Sequence, residues 1–170
     1  MRLSVENLKA LLRLKPLPVE GGYYAESYRT AESIPGGGLP GRYEGARSFG
    51  TGIYYLLTPD TCSVLHRLKS DEIYHFYLGD PVELLQLGPD GSGTVVTLGP
   101  NLEQGMKVQH VVPHGLWQGS RLREGGRWAL LGTTMAPGFD FSDFEAGGRE
   151  PLLRAYPQFE DLILALTKTP

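Results

Sequence analysis

The chain has a single cysteine, Cys62, among its 170 residues. One thiol cannot form an internal disulfide, so a stapled secreted framework is excluded and a reducing cytoplasm fits. Long apolar runs are missing as well: none reaches the roughly 18 residues that a membrane-spanning helix needs. The opening MRLSVENLKALLRLKPLP lacks the apolar centre and small-residue cleavage site of a signal peptide. There is no excess of positive charge. Lys and Arg number 16 against 19 Asp and Glu, a net charge of -3, which argues against a general nucleic-acid binder. No Gly-x-Ser-x-Gly elbow offers a serine nucleophile. The glycines of GGGLPG, from Gly36, have neither the preceding strand nor the following helix of a phosphate-binding loop. These absences leave a cytoplasmic protein with no nucleic-acid or membrane partner.

What is present suits one domain over residues 1–170. Apolar residues at 41% and charged residues at 21% allow a sizeable core. Glycine (23) and proline (13) make up about a fifth of the chain, and with nine Tyr they point to short strands joined by turns. Ser4 can cap a short helix carrying Leu8, Leu11 and Leu12, which Pro16 and Pro18 end. GGYYAESYRT (21–30) reads as extended. Residues 31–45 hold five Gly and two Pro without apolar period, a flexible excursion or a flap over a site. From Ser48 onward FGTGIYYLL, CSVLHRL, EIYHFYL, VELLQL, TVVTL, MKVQHVV, LWQGSRL and RWALLGTTM follow one another, separated by turn signals. That spacing predicts an all-β sandwich or barrel. A closing helix after Tyr156-Pro157 places Phe159, Leu162, Ile163 and Leu166 on one apolar face.

Chemistry centres on the histidines, His66, His75, His110 and His114. An imidazole at 66 and a carboxylate at Glu72, brought together from adjacent strands, can hold a divalent metal or act as a base and its partner. His75 has the opposite strand parity from Glu72 and is expected to be packing or interface. Glu26 and Arg29 also face opposite ways on a regular strand, so the expectation is that one of them reaches the barrel mouth or joins an inter-strand ion pair. Arg121, Arg123 and Arg127 read as a solvated strand edge or an anion contact. Phe139 and Phe141 share a face and read as packing. Asp140 and Asp143 lack a histidine neighbour for a metal role.

His66-x-Leu68-x3-Glu72-x6-Gly79 resembles the first motif of the cupin superfamily, and Pro113-x-Gly115-x2-Gln118 resembles the second. Leu68 and Gln118 stand where that pattern has histidines, and Asp60 and Lys107 where it has the leading glycines. Four blocks, EGGYYAESYRT, HRLKSDEIYHFYLGDPVELL, VVPHGLWQ and APGFDFSDFEAG, extend the resemblance over most of the chain, to the small single-domain cupins known as a domain of unknown function. The resemblance implies an all-β double-stranded β-helix, a cupin jelly-roll barrel with a short helix near each terminus. It also implies a homodimer and a barrel mouth open to a small-molecule ligand. It supplies no activity.

The first reading that follows is a cytoplasmic barrel binding a sugar-like or carboxylate ligand, an isomerase or epimerase with His66 as base and Tyr74 as acid. Glu72, Gln118, Tyr24, Glu26 and Arg29 would bind the ligand. The second is a metal-dependent isomerase or dioxygenase holding Zn, Fe or Mn on His66, Glu72 and Gln118. The third is a binding or structural barrel in which those three side chains form a polar cluster.

Overall fold

The structure, a computed structural model, describes residues 3–167. In chain order it contains α1 (Val5–Leu12), β1 (Lys15–Pro16), β2 (Tyr23–Arg29), β3 (Ser33–Ile34), β4 (Arg47–Ser48), β5 (Thr51–Leu57), β6 (Cys62–Arg67), β7 (Glu72–Gly79), β8 (Val82–Leu87), β9 (Gly93–Leu98), β10 (Gln109–Val112), β11 (Trp117–Leu122), β12 (Ala129–Met135), β13 (Glu145–Ala146), α2 (Arg149–Ala155) and α3 (Glu160–Ala165). Among the described residues no helix is long and apolar enough to cross a membrane.

Two antiparallel sheets form the barrel. One runs β1-β2-β5-β12-β7-β10 and the other β13-β6-β11-β8-β9, while β3 and β4 pair separately. Alternation along each strand decides what faces inward. Tyr55 and Leu57 of β5, Tyr74 and Phe76 of β7, and Leu131 of β12 meet Val82 and Leu84 of β8, Leu98 of β9 and Leu122 of β11 in one buried cluster. The alternate residues face outward and are covered by helices. Leu56 and Leu130 lie under Leu8 of α1. Leu65, Leu85 and Leu87 lie under Leu152, Tyr156, Ile163 and Leu166 of the C-terminal segment. Covering both faces explains why VELLQL reads as nearly continuous apolar sequence. Each fully buried leucine or isoleucine there contributes about 1.5–3 kcal/mol.

The expected strands all form, several of them shorter than their apolar runs. Ser4 caps α1 by accepting the Asn7 N–H at 3.2 Å. The closing helix forms after Tyr156-Pro157 as a 3-10 turn over Pro157–Phe159 leading into α3, and a further helix that the sequence reading did not foresee, α2, precedes it with Pro151 in its first turn. The 31–45 excursion is held in place: it carries the β3 strand, and buried Tyr43 shares a 2.9 Å hydrogen bond between its hydroxyl and that of Ser70. The strand carrying Arg121 is no edge. β11 pairs with β6 on one side and β8 on the other, and Arg121 donates to Glu83 at 3.3 Å.

Candidate functional site in the barrel hollow

The floor of the site begins in the turn before β2. Val19, Gly21 and Gly22 all have positive φ, at 66°, 101° and 69°. This conformation folds the chain back, with the Leu17 N–H on the Gly22 carbonyl at 3.0 Å and the Val64 N–H on the Glu20 carbonyl at 2.9 Å. A Cβ on Gly21 would run into the Cys62 carbonyl, and one on Gly22 would lie 2.8–2.9 Å from the Tyr55 ring. Only glycine fits either place. The result is that Glu20 lines the interior and accepts the Ser63 hydroxyl at 2.7 Å. Tyr55 donates its hydroxyl to the Gly21 carbonyl at 3.0 Å and ties the turn to the barrel wall.

The second acid is Glu72, the first residue of β7, only 7% exposed. It accepts the Gln118 Nε2–H at 2.8 Å. Burial pushes both carboxyls above the ordinary 4.5, each to about 7. The Ser63 hydroxyl opposes the rise at Glu20. At Glu72 the charge of Glu20 raises it further, while His66, Thr133 and Gln118 pull it down. Two acids that feel each other in this way titrate as a pair.

Above this floor lies a hollow of about 250 Å³. Leu17, Ile53, Leu68 and Met135 make its apolar wall, and Tyr24, Tyr55, Phe139 and Phe141 its aromatic one. Glu26 and Arg29 sit at the mouth and do pair with each other: the guanidinium Nε and Nη2 reach the Glu26 carboxylate at 2.8–3.1 Å. Regular alternation forbids this. The register of β2 against β5 slips between Glu26 and Tyr28, and that bulge rotates the two residues onto one side. Asp143 is structural, forming a buried ion pair with Arg47, whose Nε donates to it at 2.7 Å. Asp140 accepts the Ser142 N–H and hydroxyl at 2.9 and 2.7 Å.

Of the residues expected at the site, Glu72, Tyr24, Glu26 and Arg29 line the hollow, whereas His66, Gln118 and Tyr74 are not among its lining residues. His66 and Gln118 are cross-strand partners, so His66, Glu72 and Gln118 do form one cluster. His66 is 1% exposed, stacks on Phe144 with ring centres 5.0 Å apart, and donates from Nδ1 to the Val64 carbonyl at 2.7 Å. That bond fixes the tautomer and leaves Nε2 as an acceptor. Burial lowers its pKa, against the opposing pull of Glu72 and the Val64 carbonyl. Tyr74 is also fully buried, and burial raises its phenol. The other histidines serve elsewhere: His75 bonds Thr134 at 2.9 Å, His110 bonds Gln86 at 2.6 Å, and His114 bonds Asp71 at 2.8 Å.

A resident metal does not fit this donor set. Gln118 turns an N–H toward Glu72, Leu68 supplies no lone pair, and among the described residues no three His, Cys, Asp or Glu side chains converge to hold an ion. Glu20, Tyr55 and Phe139 are the wall residues that motif spacing passes over. The signal for Glu20 is its place immediately before two glycines and a strand.

Two sheets wrapped into a barrel, with polar side chains gathered at an inner hollow, define a cupin-fold protein. The chain belongs to the cupin superfamily family designated DUF985, whose sequence profile matches residues 6–147. It is 31% identical over 132 residues to an uncharacterised protein of Saccharomyces cerevisiae, a match covering 73% of this chain. The chain spans 66% of that relative, just under two thirds of its length. A solved structure from Shewanella oneidensis is 32% identical, with a TM-score of 0.87 over 99% of this chain and 100% of that one. A hypothetical protein from Leishmania major is also 32% identical, with a TM-score of 0.86 over 98% and 100% of the two chains. Oxalate decarboxylase of Bacillus subtilis, a protein with Mn(II) centres, is 15% identical, with a TM-score of 0.51 over 92% of this chain and 38% of that one. That likeness shows the fold alone.

Proposed function

We propose that this protein binds a small molecule in the barrel hollow and moves a proton on it, an isomerase- or epimerase-type reaction. The observation that carries this reading is the Glu20–Glu72 pair at the floor, each carboxyl pushed up to about 7. A proton-transfer group works best when its pKa lies near the operating pH. A pair that titrates together around neutrality can hold one proton between two acids, so one accepts while the other donates. His66 then acts through Glu72 as a positioning residue rather than as the base: its neutral ring stands in the same cluster, with Nδ1 held by Val64. Tyr24 and Glu26 would meet the ligand at the mouth, where Arg29 holds Glu26 in place. A cytoplasmic location belongs to the same reading and rests on a chain whose one cysteine permits no internal disulfide.

The test is a melting-point screen of small metabolites, followed by proton–deuterium exchange into any molecule that stabilises the protein. The expected outcome is exchange at one carbon by the parent, slowed about 100-fold or more in Glu72→Gln. Binding that is indifferent to both Glu20→Gln and Glu72→Gln would overturn the site. Binding without exchange would overturn the catalytic half and leave a binding barrel.

A further inference from the structure

Charge inside the hollow is lopsided. Four carboxyl side chains line it, Glu20, Glu26, Glu72 and Asp140, against one cation, Arg29. Arg29 has nothing left to offer. Its Nε and one Nη2 hydrogen go to Glu26, the other Nη2 hydrogen and one from Nη1 go to the Phe139 carbonyl at 3.2 Å, and the last reaches the Ser48 hydroxyl at 3.4 Å. All five guanidinium donors are taken, so a ligand carboxylate or phosphate finds no fork to grip. Asp140 gives one carboxylate oxygen, Oδ1, to the Ser142 N–H and hydroxyl. Glu20 and Glu72 differ: each accepts a neutral donor, from Ser63 and Gln118, and the one Lys or Arg lining the hollow, Arg29, is spent on Glu26, Phe139 and Ser48.

Two further observations favour a positively charged guest. The wall above the acids includes the rings of Tyr55, Phe139 and Phe141, and aromatic rings attract ammonium groups; the Tyr24 ring already has the Lys15 Nζ 5.2 Å from its centre. Gln118, 1% exposed and behind the hollow's lining, gives its N–H to Glu72 while its Oε1 has no hydrogen-bond donor, so an unmet acceptor adds to the negative potential around that acid. An inorganic cation would want several converging ligand side chains, which the described residues do not provide, and would leave the apolar wall bare.

We propose that the hollow selects a small organic cation, a primary ammonium or amidinium group on an apolar body, with the charge seated on Glu20 and Glu72. This rests on the hollow being the ligand site. The guest is no larger than roughly eight water molecules, given about 250 Å³. Seating is linked to proton release. The titratable groups facing the two acids are Tyr55 from β5, His66 from β6 and Tyr74 from β7, with Glu26, Arg29 and Asp140 at the mouth. Burial holds both phenols and the imidazole neutral, so Glu20 and Glu72 are the groups that change charge near neutrality. Below neutrality an incoming cation must displace a proton; above it the seat is already ionised.

Calorimetric titration with three probes of one shape tests this: benzylamine, benzyl alcohol and benzoate. Benzylamine is expected to bind at least about tenfold more tightly than the alcohol, and benzoate not at all. Its affinity is expected to rise about tenfold between about pH 6 and pH 8, with the ammonium charged throughout. Glu20→Gln and Glu72→Gln should each remove the preference over the alcohol; using both guards against a misfolded variant, and unfolding curves report on the fold. If benzoate or benzyl alcohol binds as tightly as benzylamine, the cation seat is wrong and the pocket stands. If none of the three binds at millimolar concentration and the metabolite screen is also empty, the pocket reading falls with it.

Discussion

A glutamate that holds its proton to about pH 7 inside a folded chain weakens that chain in alkali. Glu20 ordinarily titrates near 4.5 and here is pushed up to about 7 by burial. Between those values the unfolded chain releases the proton while the folded chain keeps it. Stability therefore falls across that window and is lowest above it, by on the order of a few kcal/mol. Glu20→Gln keeps the shape, and its amide oxygen can still accept the Ser63 hydroxyl. The variant should melt close to the parent at about pH 4.5 and roughly 5 °C or more above it at about pH 8. An equal shift at both values, measured by thermal unfolding, would show that folding leaves the Glu20 pKa where it is in the unfolded chain. His66 has the opposite sign: its lowered pKa costs stability as pH falls below the ordinary 6.5. The cluster of His66, Glu72 and Gln118 was legible in the spacing of two motifs. Glu20 was not, because nothing in strand periodicity says that a residue before β2 will enter the barrel; that depends on the left-handed backbone at Val19, Gly21 and Gly22 on either side of it, which only the folded chain displays.

At the scale of the element, the Glu20–Gly22 turn is the part that sets the site. Gly21→Ala would force a left-handed backbone on alanine and drive its methyl into the Cys62 carbonyl. The expected cost is about 2–4 kcal/mol, read as a loss in unfolding free energy. Ligand affinity should fall with it, because the same turn aims Glu20. A variant as stable as the parent would show that the turn relaxes freely. The strands themselves could be read ahead of the structure from their alternation and turn residues. Two features could not. The bulge in β2 that brings Glu26 and Arg29 together inserts no recognisable residue type, so period-two reasoning placed them on opposite faces. Helix α2 was not assigned ahead of the structure: Gly147 and Gly148 stand before it without a side-chain cap and Pro151 lies in its first turn, a place where proline is compatible with a helix.

The whole molecule leaves one side of its six-stranded sheet only partly covered. Tyr77 is 45% exposed and Val111 47%, and Tyr77 lies among Tyr54 and His75, with ring centres 6.2 and 6.3 Å away. The homodimer that the family resemblance implies would bury such a face. Sedimentation equilibrium at micromolar concentration should give twice the chain mass of 18.7 kDa, and Tyr77→Lys should shift the balance to the single chain. A parent that sediments at the single-chain mass would overturn the pairing. A sandwich or barrel of short strands was foreseeable from strand spacing and the barrel from the family resemblance, whereas the extent to which helices cover the outer faces was not.

The segment bearing Phe139 and Phe141 is tied down along its length. The Gly138 N–H holds the Ser48 carbonyl at 2.8 Å, the Phe139 N–H holds Thr51 at 2.9 Å, and Asp143 is clamped by Arg47. A threshold stapled at both ends cannot swing aside, so the aperture behaves as a fixed gauge rather than a shutter. On the proposed reading such a sill would sort guests by girth, and departure would depend on what a guest must shed there rather than on a door waiting to open.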